Sequence, residues 1–455
     1  MPETQTVAMR TKLAFGVGAG AEAGIHIAFN TFNFLYYNNV LGLSGTLAGM
    51  AVTIALVFDA VSDPIVGSIS DRWRSNLGRR HPFLYAAAIP LALFFFCIYA
   101  PPKSLEGLSL FLWLTTFTIL LRTALTFYHV PHLALGAELT TDYRERSVVM
   151  SYNSIFGVVG GASAFFFAWT YFSSLDGGTM HRAGYPVMAA GIGVIAALVI
   201  LASAFFTRDQ IPRLAQPPSD LPSFSLPTLL GEIRDCLRNR NYLVLLLGLF
   251  CLSATLGVRE TISSYMSLFF WELEPSQIRF LALASPPGFV IAFIATARLH
   301  TRFDKRETII GSVIGLVLVA AGPITLRMLG LFPENHSPAL FPALCVAIFG
   351  SYGCGAVLSI SVMSALADIA DEHELTSGRR QEGVFYAART FFGKLTSSLG
   401  HLLAGIAIDV IGFSPGASPG EVDPTVIFRL GLLDGPIAAI PALISIIFYA
   451  TYRID

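Results

Sequence analysis

The chain has 455 residues, of which 54% are hydrophobic and 13% charged, with a formal net charge of −1 and a mean hydropathy of +0.64. Soluble domains carry about a quarter charged residues, so the composition excludes a soluble globular protein and places the chain in a lipid bilayer. The near-zero net charge gives no argument for a nucleic-acid partner.

Twelve stretches are long enough to cross about 30 Å of hydrocarbon as helices. They fall near 12–37, 46–70, 82–100, 108–135, 147–172, 185–206, 241–270, 277–297, 308–330, 339–370, 383–411 and 425–451. Their long Leu, Ile, Ala, Phe and Gly runs lack the roughly ten-residue alternation of an outer-membrane barrel. The polar start, Met1 to Thr11, leads into an apolar segment too long for a signal-peptide core, so a retained first helix is expected. An all-α membrane protein follows. The basic connection 207–240 splits it into six spans on each side, with six-helix bundles over 1–206 and 241–455. That connection opens Pro-rich (Pro212, Pro217, Pro218, Pro222, Pro227) and closes on an amphipathic stretch, Leu229 to Leu237, suited to the membrane surface. Two such bundles suggest rocking about a central site.

An even number of spans puts both termini on one side. Twenty Lys and Arg fall in the connections of that side, from Arg10 to Arg453, against Lys103, Arg182, Arg279 and Arg327 on the other. The imbalance predicts cytoplasmic termini, in a cell's inner or plasma membrane. Breakers inside spans (Pro64, Pro131, Pro286 and Pro287) predict kinks, and glycines in spans one and five allow close helix approach.

Charges within the spans carry the chemistry. Asp59 and Asp63 in span two lie four residues apart, one helical turn or about 6 Å. Each costs at least about 2.5–3.5 kcal/mol at that depth and repels the other, so a cation or proton site is expected, with plain helix–helix hydrogen bonding as the alternative. Span one holds Glu22 and His26 on one face, and span four holds Arg122 and His129; Arg259 and Glu260, Arg389, Lys394 and His401, and Arg429 and Asp434 complete the set. At 1.5 Å per residue, Lys394 sits about 18 Å from the cytoplasmic face, level with Asp59 at about 18 Å and near Asp63 at about 12 Å. A charge pair across the bundles, static or switching, is the expectation. The five cysteines (97, 236, 251, 345, 354) show no paired spacing, and no phosphate loop, nucleophile elbow or metal-ligand motif suggests an enzyme or a tightly bound cofactor.

After span two the chain reads Gly67-Ser-Ile-Ser-Asp71-Arg72-Trp-Arg-Ser-Asn-Leu-Gly78-Arg79-Arg80. This resembles the G-x3-D-R…G-R-R signature of the major facilitator superfamily, whose mechanical reading is a cytoplasmic latch; Asp71, Arg72, Arg79, Arg80, Asp142 and Arg146 are its candidates here. With Thr11-Lys-Leu-Ala-Phe-Gly-Val-Gly, Asp59-Ala-Val-Ser-Asp63-Pro64, His129-Val-Pro131…Ala137-Glu138-Leu139-Thr-Thr-Asp142-Tyr143-Arg-Glu145-Arg146 and Asp368-Ile-Ala-Asp371…Gly378-Arg379-Arg380-Gln-Glu382-Gly383, the chain resembles the glycoside–pentoside–hexuronide:cation symporters, the melibiose-permease group.

The resemblance implies twelve helices in two bundles and sugar transport coupled to Na⁺, H⁺ or Li⁺. It implies cation binding at Asp59 and Asp63 with Thr126, and a helix-eleven lysine at Lys394. It also marks departures: Glu22-Ala23 replaces a sugar-binding Lys-Asp pair, His129 an aspartate, Leu133 a tryptophan and Asn153 an arginine. The expected substrate contacts are therefore Glu22, His26, His129, Asn153 and Lys394. His-Val-Pro also resembles the lysolipid symporters of the same branch. The reading is thus a monomeric cation-coupled sugar or glycoside symporter. A lysophospholipid or other amphiphile symporter, a proton-driven exporter, and a membrane sensor without net flux are the alternatives.

Overall fold

The computed structural model describes residues 6–214, 231, 234–377 and 382–452. Pro217, Pro218, Pro222, Pro227 and Leu229 of the linker lie outside the described residues, as do Arg379, Arg380 and Arg453. Long helices account for nearly all of the rest. The chain divides into two compact units, one of residues 1–43 and 54–224 and one of residues 44–53 and 225–455.

The first unit is built on α1 (Met9–Leu35), α2 (Gly45–Arg72, mostly in this unit), α3 (His81–Tyr99), α4 (Gly107–Glu138), α5 (Tyr143–Ser173) and α6 (Gly184–Thr207). The expected spans agree with these helices to within a few residues. Pro64 and Pro131 lie inside α2 and α4, which continue through them. Helix starts follow local chemistry: the Asp142 carboxylate accepts the Glu145 N–H at 2.9 Å, capping α5. Glu145 then accepts the Val7 N–H at 2.8 Å and pairs with Lys12 at 2.6 Å, tying the start of α1 to that of α5.

Helices α1 and α5 meet backbone to backbone. A Cβ on Gly160 would lie 2.2 Å from the Gly20 carbonyl oxygen, so both positions require hydrogen as their side chain. Gly157, by contrast, faces open space. Phe32, Trp169, Phe172 and Tyr185 pack together beside Tyr36 and Tyr99, all buried, and close one end of the unit.

The second unit contains α7 (Arg240–Tyr265), α8 (Pro275–Leu281), α9 (Ser285–Leu299), α10 (Lys305–Met328), α11 (Leu340–Ser377), α12 (Glu382–Ile411), α13 (Pro424–Leu432) and α14 (Ala438–Ala450). The eighth expected span is broken: a 3₁₀ turn at Ala282–Ala284 separates α8 from α9, whose first turn holds Pro286 and Pro287. Proline lacks the N–H that would continue α8 and fits a helix's first turn. The core gathers on Tyr242, Val313, Leu366, Ile369 and Phe385, with the Tyr242 hydroxyl donating to the Phe385 carbonyl at 2.8 Å.

Among the described residues, eleven helical segments are long and apolar enough to cross a membrane, and α1, with 27 residues, adds another long helix. The protein is therefore an all-helical, multi-pass membrane protein. Among the described residues, three π-helical segments stand at Tyr36–Val40, Met266–Phe270 and Leu433–Ile437. Such segments free backbone groups and recur at functional positions.

Candidate cation and substrate site

Within the first unit, α2 and α4 bring three oxygen-bearing side chains together. The Thr126 hydroxyl oxygen lies 2.7 Å from Asp59 Oδ1 and 3.0 Å from Asp63 Oδ1. One hydroxyl has one proton, so it donates to one carboxylate at a time and presents lone pairs to whatever else enters. Asp59 is buried and Thr126 is buried. Two carboxylates and a hydroxyl form a hard oxygen donor set, suited to a small hard cation or a proton and unsuited to a soft metal. Among the described residues no group of three His, Cys, Asp or Glu side chains forms a transition-metal site.

Helices α1 and α4 carry a second polar set. His129 Nδ1 lies 2.6 Å from Glu22 Oε1, and both side chains reach solvent in part, His129 at 42% and Glu22 at 19% exposure. Arg122 Nη1 donates to His26 Nε2 at 2.9 Å, and the Asn30 amide is 3.2 Å from His26 Nδ1. The Arg122 guanidinium also sits over the Phe29 ring, 5.5 Å from its centroid. Glu22 and His26 share a face of α1, and each has a partner on α4, His129 for Glu22 and Arg122 for His26.

His132 was not among the expected residues and lies at the centre of a third set. Its Nδ1 is 3.2 Å from the Tyr128 hydroxyl and its Nε2 is 3.1 Å from Asn153 Oδ1, while Phe15 stacks on the ring at 4.3 Å. The arrangement that satisfies each atom has Tyr128 O–H donating to Nδ1 and Nε2–H donating to Asn153. Asn153 is thereby oriented with its oxygen engaged and its NH₂ left as donor. Glycine at position 18 leaves room for this set, since a Cβ there would lie 2.1 Å from the Tyr128 hydroxyl oxygen and 2.7 Å from Ser203 Oγ. The i, i+4 spacing of Tyr128 and His132 was the available signal.

At the end of α2 the basic motif is drawn together. Arg80 donates to Asp71, to Ser70 Oγ at 2.7 Å and to Glu138 Oε1 at 2.7 Å, and Arg79 pairs with Glu138 at 2.8 Å. Glu138, not among the residues expected there, is thus the carboxylate shared by Arg79 and Arg80. Asp142 caps α5, and Arg146 donates to the Thr140 carbonyl at 3.3 Å. Arg72 lies on the last turn of α2.

In the second unit, Lys394 is carried on α12. Arg259 donates to the backbone carbonyls of Asp434 at 2.9 Å and Ala320 at 3.2 Å, with the Asp434 carboxylate at 3.4 Å. His401 Nδ1 and Thr261 Oγ1 are 2.6 Å apart, and that hydroxyl donates on to the Gly257 carbonyl at 2.8 Å.

A family model described as MFS/sugar transport protein matches residues 14–455. The chain is 25% identical over a 536-residue alignment to the uncharacterized symporter sll1374 of Synechocystis sp., covering 97% of this chain and 94% of that protein. It is 23% identical over 387 residues to the isoprimeverose transporter of Lactiplantibacillus pentosus, covering 84% of this chain and 76% of that one. The crystal structure of the nucleoside transporter NupG superposes with a TM-score of 0.66 at 14% identity, over 98% of this chain and all of that one, a likeness of fold.

Proposed function

The chain belongs to the MFS/sugar transport protein family, and from that premise we propose that it is a secondary symporter carrying a sugar or glycoside together with a coupling cation, Na⁺ or H⁺. It is a transporter and not an enzyme. The observation that carries the coupling is the convergence of Asp59, Asp63 and Thr126 on one point inside the first unit. The cation enters as a transported species: the two carboxylates supply its charge balance and Thr126 a neutral oxygen. Once it is bound, the mutual repulsion of Asp59 and Asp63 is relieved.

The sugar is read by the neighbouring set. Glu22 and His129 accept and donate to hydroxyls, His26 is fixed by Arg122, and the Asn153 amide, aimed by His132, donates. Lys394 couples the second bundle to the first when ion and sugar are both present, so the loaded carrier reorients and the singly loaded one does so poorly. Asp71, Arg72, Arg79, Arg80, Asp142 and Arg146, with Glu138, form the cytoplasmic latch. The domains are the two six-helix bundles, 1–206 and 241–455, joined by a cytoplasmic linker. The excess of Lys and Arg in connections on the side of the termini supports cytoplasmic termini in an inner membrane, and the carrier works as a monomer.

The test is thermal stabilisation of the purified carrier, since a ligand that binds only the folded form raises its melting temperature. Isoprimeverose, other mono- and disaccharides, uronic acids and lysophosphatidylcholine are compared with and without Na⁺ at two pH values. A sugar that stabilises more with Na⁺, or more at the lower pH, is the expected result. Stabilisation by the lysolipid alone overturns the sugar assignment.

A further inference from the structure

The ends of α1 and α7 match bond for bond. Each passes into a π-helical segment, Tyr36–Val40 or Met266–Phe270. The Leu41 N–H donates to the Tyr36 carbonyl and the Leu43 N–H to that of Tyr37, each at 2.9 Å; the Trp271 and Leu273 N–H groups donate to the Met266 and Ser267 carbonyls at the same distances. Between the two donors stands the residue that turns left-handed. In the first unit it is Gly42, at φ 76°, and in the second it is Glu272, at φ 49°. Glycine takes this conformation freely, whereas a Cβ makes it costly. The second unit therefore places a side chain where its counterpart has none.

The partner of that side chain is equally unusual. Among the described residues, the non-glycine positions with left-handed φ are Glu272 and His336, the latter at 63°. His336 Nε2 lies 3.1 Å from Glu272 Oε2. The preceding residue, Asn335, donates to the Phe270 carbonyl at 3.1 Å, fastening its loop to the same π-helical segment. Two loops thus each hold a strained backbone position to maintain one pair. Packing does not account for it, since the His336 side chain is 76% exposed and that of Glu272 31%. Strain retained without burial marks positions kept for function.

The pair borders a cavity of about 300 Å³ that is also lined by Ser276, Gln277, Phe280 and Phe341. Ser276 Oγ donates to Glu274 Oε2 and Gln277 Oε1 accepts the Glu274 N–H, so the Glu272 carboxylate, the His336 imidazole and the Gln277 NH₂ are left as acceptors and donors for vicinal hydroxyls, beside two aromatic rings whose flat apolar faces suit a ring's C–H surface. The volume stands at the small end for ligand sites and holds one sugar ring. Both loops lie on the side opposite the termini in the Lys and Arg distribution. We propose that this cavity is a second carbohydrate-binding site, distinct from the set on α1, α2, α4 and α5, in which Glu272 and His336 bind sugar hydroxyls before transport. The proposal rests on the reading of the substrate as a sugar.

The experiment is diethyl pyrocarbonate labelling of His336 in the purified full-length carrier, read by peptide mass spectrometry. The probes are isoprimeverose, xylose, glucose and galactose, with open-chain sorbitol as control. At least one ring sugar is expected to slow labelling several-fold, sorbitol leaving it unchanged. In Glu272→Gly that protection disappears while the melting temperature rises, because the position regains the residue its backbone favours. Phe341→Ala, which removes a ring face and leaves the pair, weakens the protection. Unchanged His336 labelling with every sugar in the wild type overturns the proposal, as does full protection in Glu272→Gly. Asp59→Asn leaves His336 protection intact. Failure of ion-driven sugar uptake alongside a protected His336 sinks the symport reading alone, and uptake with an unprotected His336 sinks only this one.

Discussion

Replacing Asp59 by Asn removes one of the two charges on the proposed cation site while keeping the side chain's shape. The Thr126 hydroxyl oxygen lies 2.7 Å and 3.0 Å from the two carboxylate oxygens, so a cation seated among these oxygens lies within about 4 Å of either charge. At an effective dielectric of about 20, one unit charge at about 4 Å contributes about 4 kcal/mol. Its loss weakens cation binding roughly a thousandfold. The consequence is measurable by thermal melting. An ion at about a hundred times its dissociation constant stabilises the folded carrier by about 2.7 kcal/mol. The same concentration on Asp59→Asn is then at about a tenth of the new constant and contributes only about 0.1 kcal/mol. The assay is a melting series against Na⁺ and, separately, against pH, on wild type and variant. An ion-dependent rise in Asp59→Asn equal to that of the wild type refutes the assignment.

Glu138→Gln leaves Arg79 and the buried Arg80 without their shared carboxylate, and Asp71 alone replaces it for Arg80. A loss of about 3 kcal/mol is expected, at the low end for breaking a buried pair; an unchanged melting temperature contradicts it. Gly160→Ala drives a methyl into the Gly20 backbone and costs roughly 1–3 kcal/mol or more, whereas Gly157→Ala meets open space and gains up to about 1 kcal/mol of helix propensity. Equal melting temperatures for the two variants count against the α1–α5 packing. His300, just beyond α9, has its pKa pushed below the usual value of 6.5, first by burial and then by Lys305, against the pull of Asp368. The folded state therefore binds fewer protons than the unfolded chain, and His300 lowers stability as pH falls below about 6.5. His300→Gln flattens the melting curve over that range; an unchanged pH slope argues otherwise.

Much of this was legible in the chain. Hydrophobic runs located most of the spans to within a few residues, because a bilayer imposes length and apolarity without reference to neighbours. The Asp59–Asp63 spacing put both carboxylates on one face, and their intramembrane position singled them out. Partner choice was not legible. Whether Glu22 turns to His26 on its own helix or to His129 on α4 depends on where α4 lies, and the same holds for His26 with Arg122. His132 sits among Phe15, Tyr128 and Asn153 through packing of three helices, so one histidine after a proline gave little sign of it. Glu138 stands in one of the motifs that carry the resemblance, yet its role as the acceptor for two arginines emerges only once the loop after α2 folds back. The prolines divided for a local reason: Pro64 and Pro131 lie well inside α2 and α4, which continue past them, whereas Pro286 and Pro287 occupy the first turn of α9, where the missing N–H groups cost least. The left-handed turn at Glu272 has no sequence signal, since the expected residue there is glycine.

Accumulation of a labelled sugar in proteoliposomes, with an imposed Na⁺ or H⁺ gradient and the wild type beside Asp59→Asn and Asp63→Asn, tests symport most directly. The account predicts uptake above the equilibrium level in the wild type under one of the gradients, collapsing when that gradient is dissipated and absent in both variants. Uptake that never exceeds equilibrium, or that both variants drive as well as the wild type does, contradicts it.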